Sequence, residues 1–506
     1  MSRAAARGLV VVLLTAGPAA ATDYWAYQYK NIDVIVAGSS SYARHVARNT
    51  YRLGAALTQI LALKGDPLLP THIYVLRDDQ IAEVLGSSGS SNYHSSGYDS
   101  TVIASRGHGE GDQYWGAYFG YVGSLIAAEG AQRYPYWFRL GVPELFATTE
   151  FDHERIRTGG IAAGYALTVA SGPLIPLRTF LGMQEQDPQL RSGPQSEMYA
   201  AEGWYLTREI LVEGHYRDEF GRYLALMQQG RSEPAAFAAS FKVSYEDLDR
   251  MLRDDVHAAA HVFVLASPAD ESPDQVPPRK LTPAQIQARL ALVNLKAGRR
   301  AEALRLAGAT LREEPADELA LRVLAQAQLE EGNYPASFAA VDQLSRGALS
   351  PEGMAESAAI LTVLASAVTA GHATLAVDAP TMLSFVQRYY RAALGANPED
   401  LRSWAGLAGL YGAQRDRAAA QALLPAASQA LARHPGNANL AYALAHMCAQ
   451  TEQWDCALKF AGAWRENAPT EAGRAEAAAF ESRLSTYRQH LARAPAADSA
   501  APPPRD

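Results

Sequence analysis

From Leu290 onward the chain repeats itself. Leu290-Ala291 recurs as Leu324-Ala325, Gly298 as Gly332 and Ala303 as Ser337, a period of 332 − 298 = 34 residues. A unit of this length, with Leu-Ala in its first half, Gly at its middle and a Pro such as Pro315 after its second half, reads as two helices joined by a tight turn. The small residues fall where the two helices must approach closely. One such pair cannot bury its apolar face alone, so neighbouring units must stack, and the chain is constrained to a helical solenoid. A later unit carries Trp404, Leu407, Ala408 and Tyr411 in its first helix, and the last clear one carries Leu444-Ala445, Trp454, Ala457 and Pro469. Between Ser345 and Ala396 the spacing is irregular.

These residues resemble the tetratricopeptide repeat (TPR). The resemblance covers 284–492 and implies an all-α array whose concave surface binds a protein or peptide. It is preceded by "ASPADESPDQVPPRKLTP", whose Pro and acidic residues mark a linker over 266–283. It is followed by "RAPAADSAAPPPRD", whose composition over 493–506 suits a disordered tail.

The other half is different. "IDVIVAG" and "THIYVLRD" have the β-branched density of strands, "TVIAS" is a third short strand, and Ser41 to Lys64 carries Val46, Leu53, Leu57 and Leu61 at helical spacing. "GSSGSSNYHSSGYDS", Gly86 to Ser100, reads as a polar loop. From Tyr114 to Val256 the pattern is mainly helical. The expectation is a small sheet plus helices, an α+β domain over 22–265. Before it, Arg3 and Arg7, the short apolar run from Gly8 to Ala16 and Ala19-Ala20-Ala21 form a secretory signal peptide over 1–21. That run is too short to span a bilayer, and no later segment is long and apolar enough to do so. An exported, periplasmic protein is expected. With 45 Lys and Arg against 53 Asp and Glu, the net charge of −8 argues against a nucleic-acid partner.

Within this half, "YFGYVGSLIAAEGAQRYPYWFRLGVPELFATTEF" carries a second resemblance. "PYWFRLGVPE" places Pro135, Trp137, Gly141 and Glu144 where the gluzincin (peptidase MA-like) metallopeptidases have P-x-W-x-x-E-G-x-A-E. Residues 30–260 are similar to those domains, with Tyr199 and Trp204 on a later helix and "FAASFKVSYEDLDRML" as a closing helix pair. In that family, two His of H-E-x-x-H and a later Glu bind zinc, and the motif's Glu activates the bound water. Here the spacing puts Phe119, Gly120 and Gly123 at the H-E-x-x-H positions and Leu140 at the third-ligand position. From Tyr114 to Leu125 there is no His, Asp, Glu or Cys. None of these side chains is a zinc donor, so no metal-bound hydroxide forms there near neutral pH. Gly120 and Gly123 each cost a helix interior about 1 kcal/mol relative to Ala, which close packing offsets.

Other chemistry is sparse. His257 and His261 stand at i,i+4 spacing, with Asp254 and Asp255 nearby, as a weak metal pair; a solvated or capping pair is the favoured reading. His108, Glu110 and Asp112 lie in a Gly-rich loop, where a polar turn with Asp112 as a helix cap is favoured over a metal or substrate site. His153-Glu154 reads as a solvated face. Ser124 has no evident base beside it. Cys448 and Cys456 either pair, as an exported protein permits, or remain buried thiols. The expectation is a non-catalytic peptidase-like domain fused to a TPR-type solenoid, needing no cofactor and binding a protein or peptide. An active hydrolase using His257 and His261 or His108 and Glu110 is the alternative.

Overall fold

The computed structural model describes residues 23–61, 70–85, 92–96, 100–107, 115–128, 134–152, 154–190, 193–255, 261–267, 276–468 and 470–493. The strands expected from β-branched density form. Strands β1 (Tyr24–Tyr29), β2 (Ile32–Ala37), β3 (Thr71–Leu76), β4 (Asn92–Ser96), β5 (Thr101–Arg106) and β9 (Arg279–Lys280) make one sheet, in the order β4-β5-β3-β2-β1-β9. β2, β3 and β5 run parallel; β4, β1 and β9 pair antiparallel with their neighbours.

Side chains alternate across this sheet. Ile32, Val34, Val36, Ile73, Val75 and Ile103 face helices α1 (Ser40–Leu61) and α3 (Trp115–Ala128). Ile35, Tyr74, Leu76, Val102 and Ala104 face the other way, onto Ile81 of α2 (Asp78–Leu85) and onto Leu281 and Val293. Val293 lies in α11 (Pro283–Lys296), the first helix of the repeats. The two halves therefore share a core.

This corrects two sequence readings. The polar loop over 86–100 contains the edge strand β4, which takes its hydrogen bonds from β5. The linker over 266–283 is not a plain connector: Arg279 and Lys280 pair with Ala26 and Trp25, and Leu281 is buried.

Beyond the sheet, α4 (Tyr136–Phe146) packs on α3 and crosses α7 (Pro194–Arg208). The crossing is close. A Cβ on Gly141 would collide with the carbonyl of Gly203 and with Thr207 Oγ1. Gly120 likewise sets α3 on β5, where a Cβ would lie 2.8 Å from Ile103. A second sheet joins β6 (Glu150–Phe151) and β7 (Arg155–Thr158), within the region expected to be mainly helical, to β8 (Phe263–Ala266) just beyond it. The domain is completed by α5 (Ala163–Ser171), α6 (Leu177–Gly182), α8 (Arg217–Gln228), α9 (Glu233–Ser240) and α10 (Tyr245–Asp255).

Among the described residues the repeats are five helix pairs: α11 with α12 (Arg300–Glu313), α13 (Glu318–Glu330) with α14 (Tyr334–Leu344), α15 (Pro351–Thr369) with α16 (Ala379–Ala396), α17 (Leu401–Ala413) with α18 (Arg417–Arg433) and α19 (Ala438–Gln450) with α20 (Trp454–Asn467). Helix α21 (Glu471–Arg493) covers the last pair. Side chains of Thr282, Asp317, Asn333, Ser350, Asp378, Asp400, Asp416 and Asn437 accept from backbone amides at their helix starts, satisfying donors that a helix leaves open. Gly298 and Gly332 both have φ +75°, the left-handed turn that the 34-residue period implies. Among the described residues, no helix is long and apolar enough to cross a membrane.

Candidate functional site

The first helices of four successive pairs, α11, α13, α15 and α17, line a groove of about 330 Å³. Its apolar wall includes Leu292, Leu295, Leu319, Val323, Ile360 and Val363, and Val363 is 47% exposed. Its polar wall is Lys296, Arg322, Gln326, Glu356 and Arg402.

Charges in that wall are organised. Arg322 is buried, yet it donates to Glu352 Oε1 at 2.6 Å and to Glu356 Oε2 at 2.5 Å. Arg402 Nη1 lies 3.0 Å from the other oxygen of Glu356. Burial would raise the Glu356 carboxyl, but Arg322 and Arg402 outweigh it and hold it low. Glu352 also faces the sheet, 3.8 Å from His72 Nε2, and His72 Nδ1 lies 3.5 Å from Asp33 Oδ2. The network thus runs from β2 and β3 to α17. Lys296, at the end nearest the sheet, is exposed and forms no ion pair among the described residues.

Side chains behind the groove follow the repeat pattern. Leu407, Ala408 and Tyr411 are buried in α17, and Trp404 donates its indole N–H to the carbonyl of Pro398 at 2.8 Å. Arg391 donates to Tyr411 Oη at 3.1 Å. Cys448 and Cys456 form a disulfide across the α19–α20 turn. The helical half is TPR-like.

Two solved structures are similar to part of the chain. TTC0263, described as a thermophilic TPR protein of Thermus thermophilus, is 21% identical; 41% of this chain and 99% of that chain are covered, at a TM-score of 0.31. YrrB, described as a TPR protein with an unusual peptide-binding site, is 13% identical, with 39% and 92% covered at a TM-score of 0.29. No family model and no curated protein matches the chain.

The positions singled out in the N-terminal half fall on α3 and α4, which pack together. Phe119 stacks on Trp115 with ring centres 5.2 Å apart. Phe119 and Leu140 are half-buried against the same core. Pro135 stands at the start of α4, and Trp137 is fully buried against Phe138, Phe180 and Phe220. Glu144 is buried, accepts from Tyr165 Oη at 2.7 Å, and has no partner for Oε2. Burial pushes its carboxyl up to about 8, more than the tyrosine hydrogen bond lowers it, so it is largely protonated at neutral pH.

Ser124 does have an imidazole beside it, contrary to the sequence reading. His94 of β4 reaches it, with Nε2 3.2 Å from Oγ, and lies against Gly123. The Ser124 hydroxyl donates instead to the carbonyl of Gly120 at 2.7 Å, and burial lowers His94 to about 4. With the Ser124 proton given to Gly120, a neutral His94 donates Nε2–H to Oγ, the reverse of the direction in which a general base would act.

His261 lies outside any helix, just before β8; His257 lies outside the described residues, as do His108, Glu110, Asp112 and His153. Glu154 is exposed. His261 pairs with Glu213 in a cluster that sequence reasoning missed. The end of α7 passes into one π-helical turn, Glu209–Glu213. Arg208 Nη1 sits between the two carboxylates, 2.6 Å from Glu213 and 3.7 Å from Glu209, and His215 Nδ1 is 2.8 Å from Glu209. Burial would raise Glu213, but His261 and Arg208 outweigh it and hold it near 2. The guanidinium occupies the centre where a cation would otherwise be drawn. Among the described residues no group of three or more His, Cys, Asp or Glu could hold a metal ion.

Proposed function

We propose that this protein is an exported, non-catalytic binding protein. The groove across α11, α13, α15 and α17 takes an extended peptide segment that presents a large apolar side chain next to a carboxylate. The groove itself carries this reading. Its volume suits one or two side chains, its wall is apolar up to the exposed Val363, and Lys296 is a cation left for a ligand's acidic group.

The N-terminal half is read as a gluzincin-like frame without hydrolytic function. Two packed helices, α3 and α4, carry apolar side chains or glycine at Phe119, Gly120, Gly123 and Leu140, where the resembling family has metal ligands and base. A protonated Glu144 cannot supply the missing charge. Export is supported by the signal-like residues 1–21 and by the Cys448–Cys456 bond, which suits an oxidising compartment. N-terminal sequencing of protein recovered from the cell envelope is expected to begin near Thr22. An intact Met1 on cytoplasmic protein would reverse the assignment.

The binding reading is tested with labelled peptides carrying Leu beside Asp, titrated into the full chain. Val363→Asp and Lys296→Glu each alter an exposed groove residue and are expected to weaken binding about tenfold or more without lowering the melting temperature. Equal affinity in wild type and both variants would reject the groove as the site. Zinc at one equivalent per chain, with peptide cleavage abolished by EDTA, would reject the non-catalytic reading.

A further inference from the structure

We propose that His72 is a positioning residue of the groove: held between Asp33 of β2 and Glu352 of α15, it ties the N-terminal sheet to the wall that carries Arg322. The identity of the ligand rests on the reading above; the tie itself does not.

The geometry carries this. His72 is a β3 residue, yet its ring reaches the repeats. Asp33 Oδ2 lies 3.5 Å from Nδ1 and Glu352 Oε1 lies 3.8 Å from Nε2. The same Glu352 oxygen accepts from Arg322 Nη2, and Arg322 passes the contact to Glu356 and so to Arg402. Each step changes element, from sheet to α15, to α13, back to α15 and on to α17. Arg322, Glu356 and Arg402 line the groove. Moving α15 away from the sheet must therefore move the polar wall.

An imidazolium between two carboxylates attracts both; a neutral ring releases one. The charged groups facing this site come from every element packed on it. They are Asp33 from β2, Glu352 from α15 and Arg322 from α13, with Arg289 of α11 and Arg279 of β9 acting on Asp33. Burial disfavours the charged ring, but the hydrogen bond to Asp33 and the charges of Glu352 and Asp33 outweigh it, and the His72 pKa is raised. A group raised in the native state stabilises fully below its unfolded value, about 6.5, and that contribution is lost as pH rises through the native value. The tie is complete below about 6.5 and weakens as pH rises through the raised native value.

Hydrogen exchange across β3, α13 and α15 tests this between pH 6 and 9, after correction for intrinsic chemical exchange. In wild type, local opening of these elements is expected to rise about tenfold for each pH unit separating the unfolded and native His72 midpoints. In His72→Gln the profile is expected to be flat. Glu352→Gln is expected to keep the fold and to lower the His72 midpoint read by NMR. Superimposable profiles for wild type and His72→Gln, or a wild-type midpoint at or below 6.5, would overturn the proposal. A labelled Leu-Asp peptide, titrated in parallel, is expected to weaken over the same interval only in wild type. Should that peptide fail to bind at any pH, the binding reading fails, and the exchange at α13 and α15 still decides the tie.

Discussion

Replacing Arg322 with methionine is expected to destabilise the protein by about 3–5 kcal/mol. Arg322 is 6% exposed, and its guanidinium stands among Glu318, Glu352 and Glu356. Burial alone would make it easier to deprotonate, yet Glu352 and Glu356 hold it charged beyond its ordinary value. Methionine fills much of the volume but leaves these carboxylates facing one another, with Arg402, Lys296 and His72 as the cations still acting on them. A charge left without its partner costs far more than the pair itself contributed. The double variant Arg322→Met, Glu356→Met removes one of the stranded carboxylates and is expected to recover part of the loss. Urea denaturation of the two variants checks this, read as a shift in midpoint at constant slope. A single-variant loss below about 1 kcal/mol, or strict additivity in the double, would show that the network does not act as a unit.

A second large effect concerns pH. Glu144 holds its proton in the native state up to about 8, against an ordinary value of 4.5. The native state therefore binds more protons than the unfolded chain between those limits. Stability from this group is present in full below about 4.5 and is lost as pH rises toward 8, at roughly 1.4 kcal/mol per pH unit near the middle of the interval. Glu144→Gln keeps an acceptor for Tyr165 and has no proton to lose. The variant is expected to match wild type within about 1 kcal/mol at pH 5 and to exceed it by a few kcal/mol at pH 8.5. Parallel wild-type and variant curves of denaturation midpoint against pH would refute this account.

Much of the fold was legible because helix packing leaves local marks. Leu-Ala pairs sit where helices cross, glycine turns fall at Gly298 and Gly332, and Asp, Asn, Ser and Thr stand at helix starts. The period broke between Ser345 and Ala396 because α15 and α16 have 19 and 18 residues, whereas α13 and α14 have 13 and 11. Strand β4 escaped because an edge strand draws its hydrogen bonds from one neighbour and needs no apolar run. Its alternation is visible only afterwards, with Tyr93 donating to the carbonyl of Lys296 and His94 turned toward α3. Strand β9 escaped for a similar reason, being two charged residues in a Pro-rich stretch.

The candidate site was less readable. The resemblance directed attention to Glu144, but its hydrogen-bond partner Tyr165 is supplied by α5, from another part of the chain. His72 looked like one residue of a strand. Its meaning lies in Glu352, which no local pattern could connect to it. The π-helical turn at Glu209–Glu213 also had no signal in hydrophobic periodicity.

Helix α11 has two owners, and this bears on how the chain could change over generations. A stacked array needs a cover at each end to keep its terminal apolar faces from water. At the far end that cover is α21, a dedicated helix. At the near end it is the sheet, through Val293, Leu290 and Ile286. Lineages are thus free to duplicate or discard pairs beyond α18, past the last pair that lines the groove, with only the spacing to α21 to restore. Loss of the first pair would uncover the sheet and the array together, so selection acts on that junction as on one inherited part.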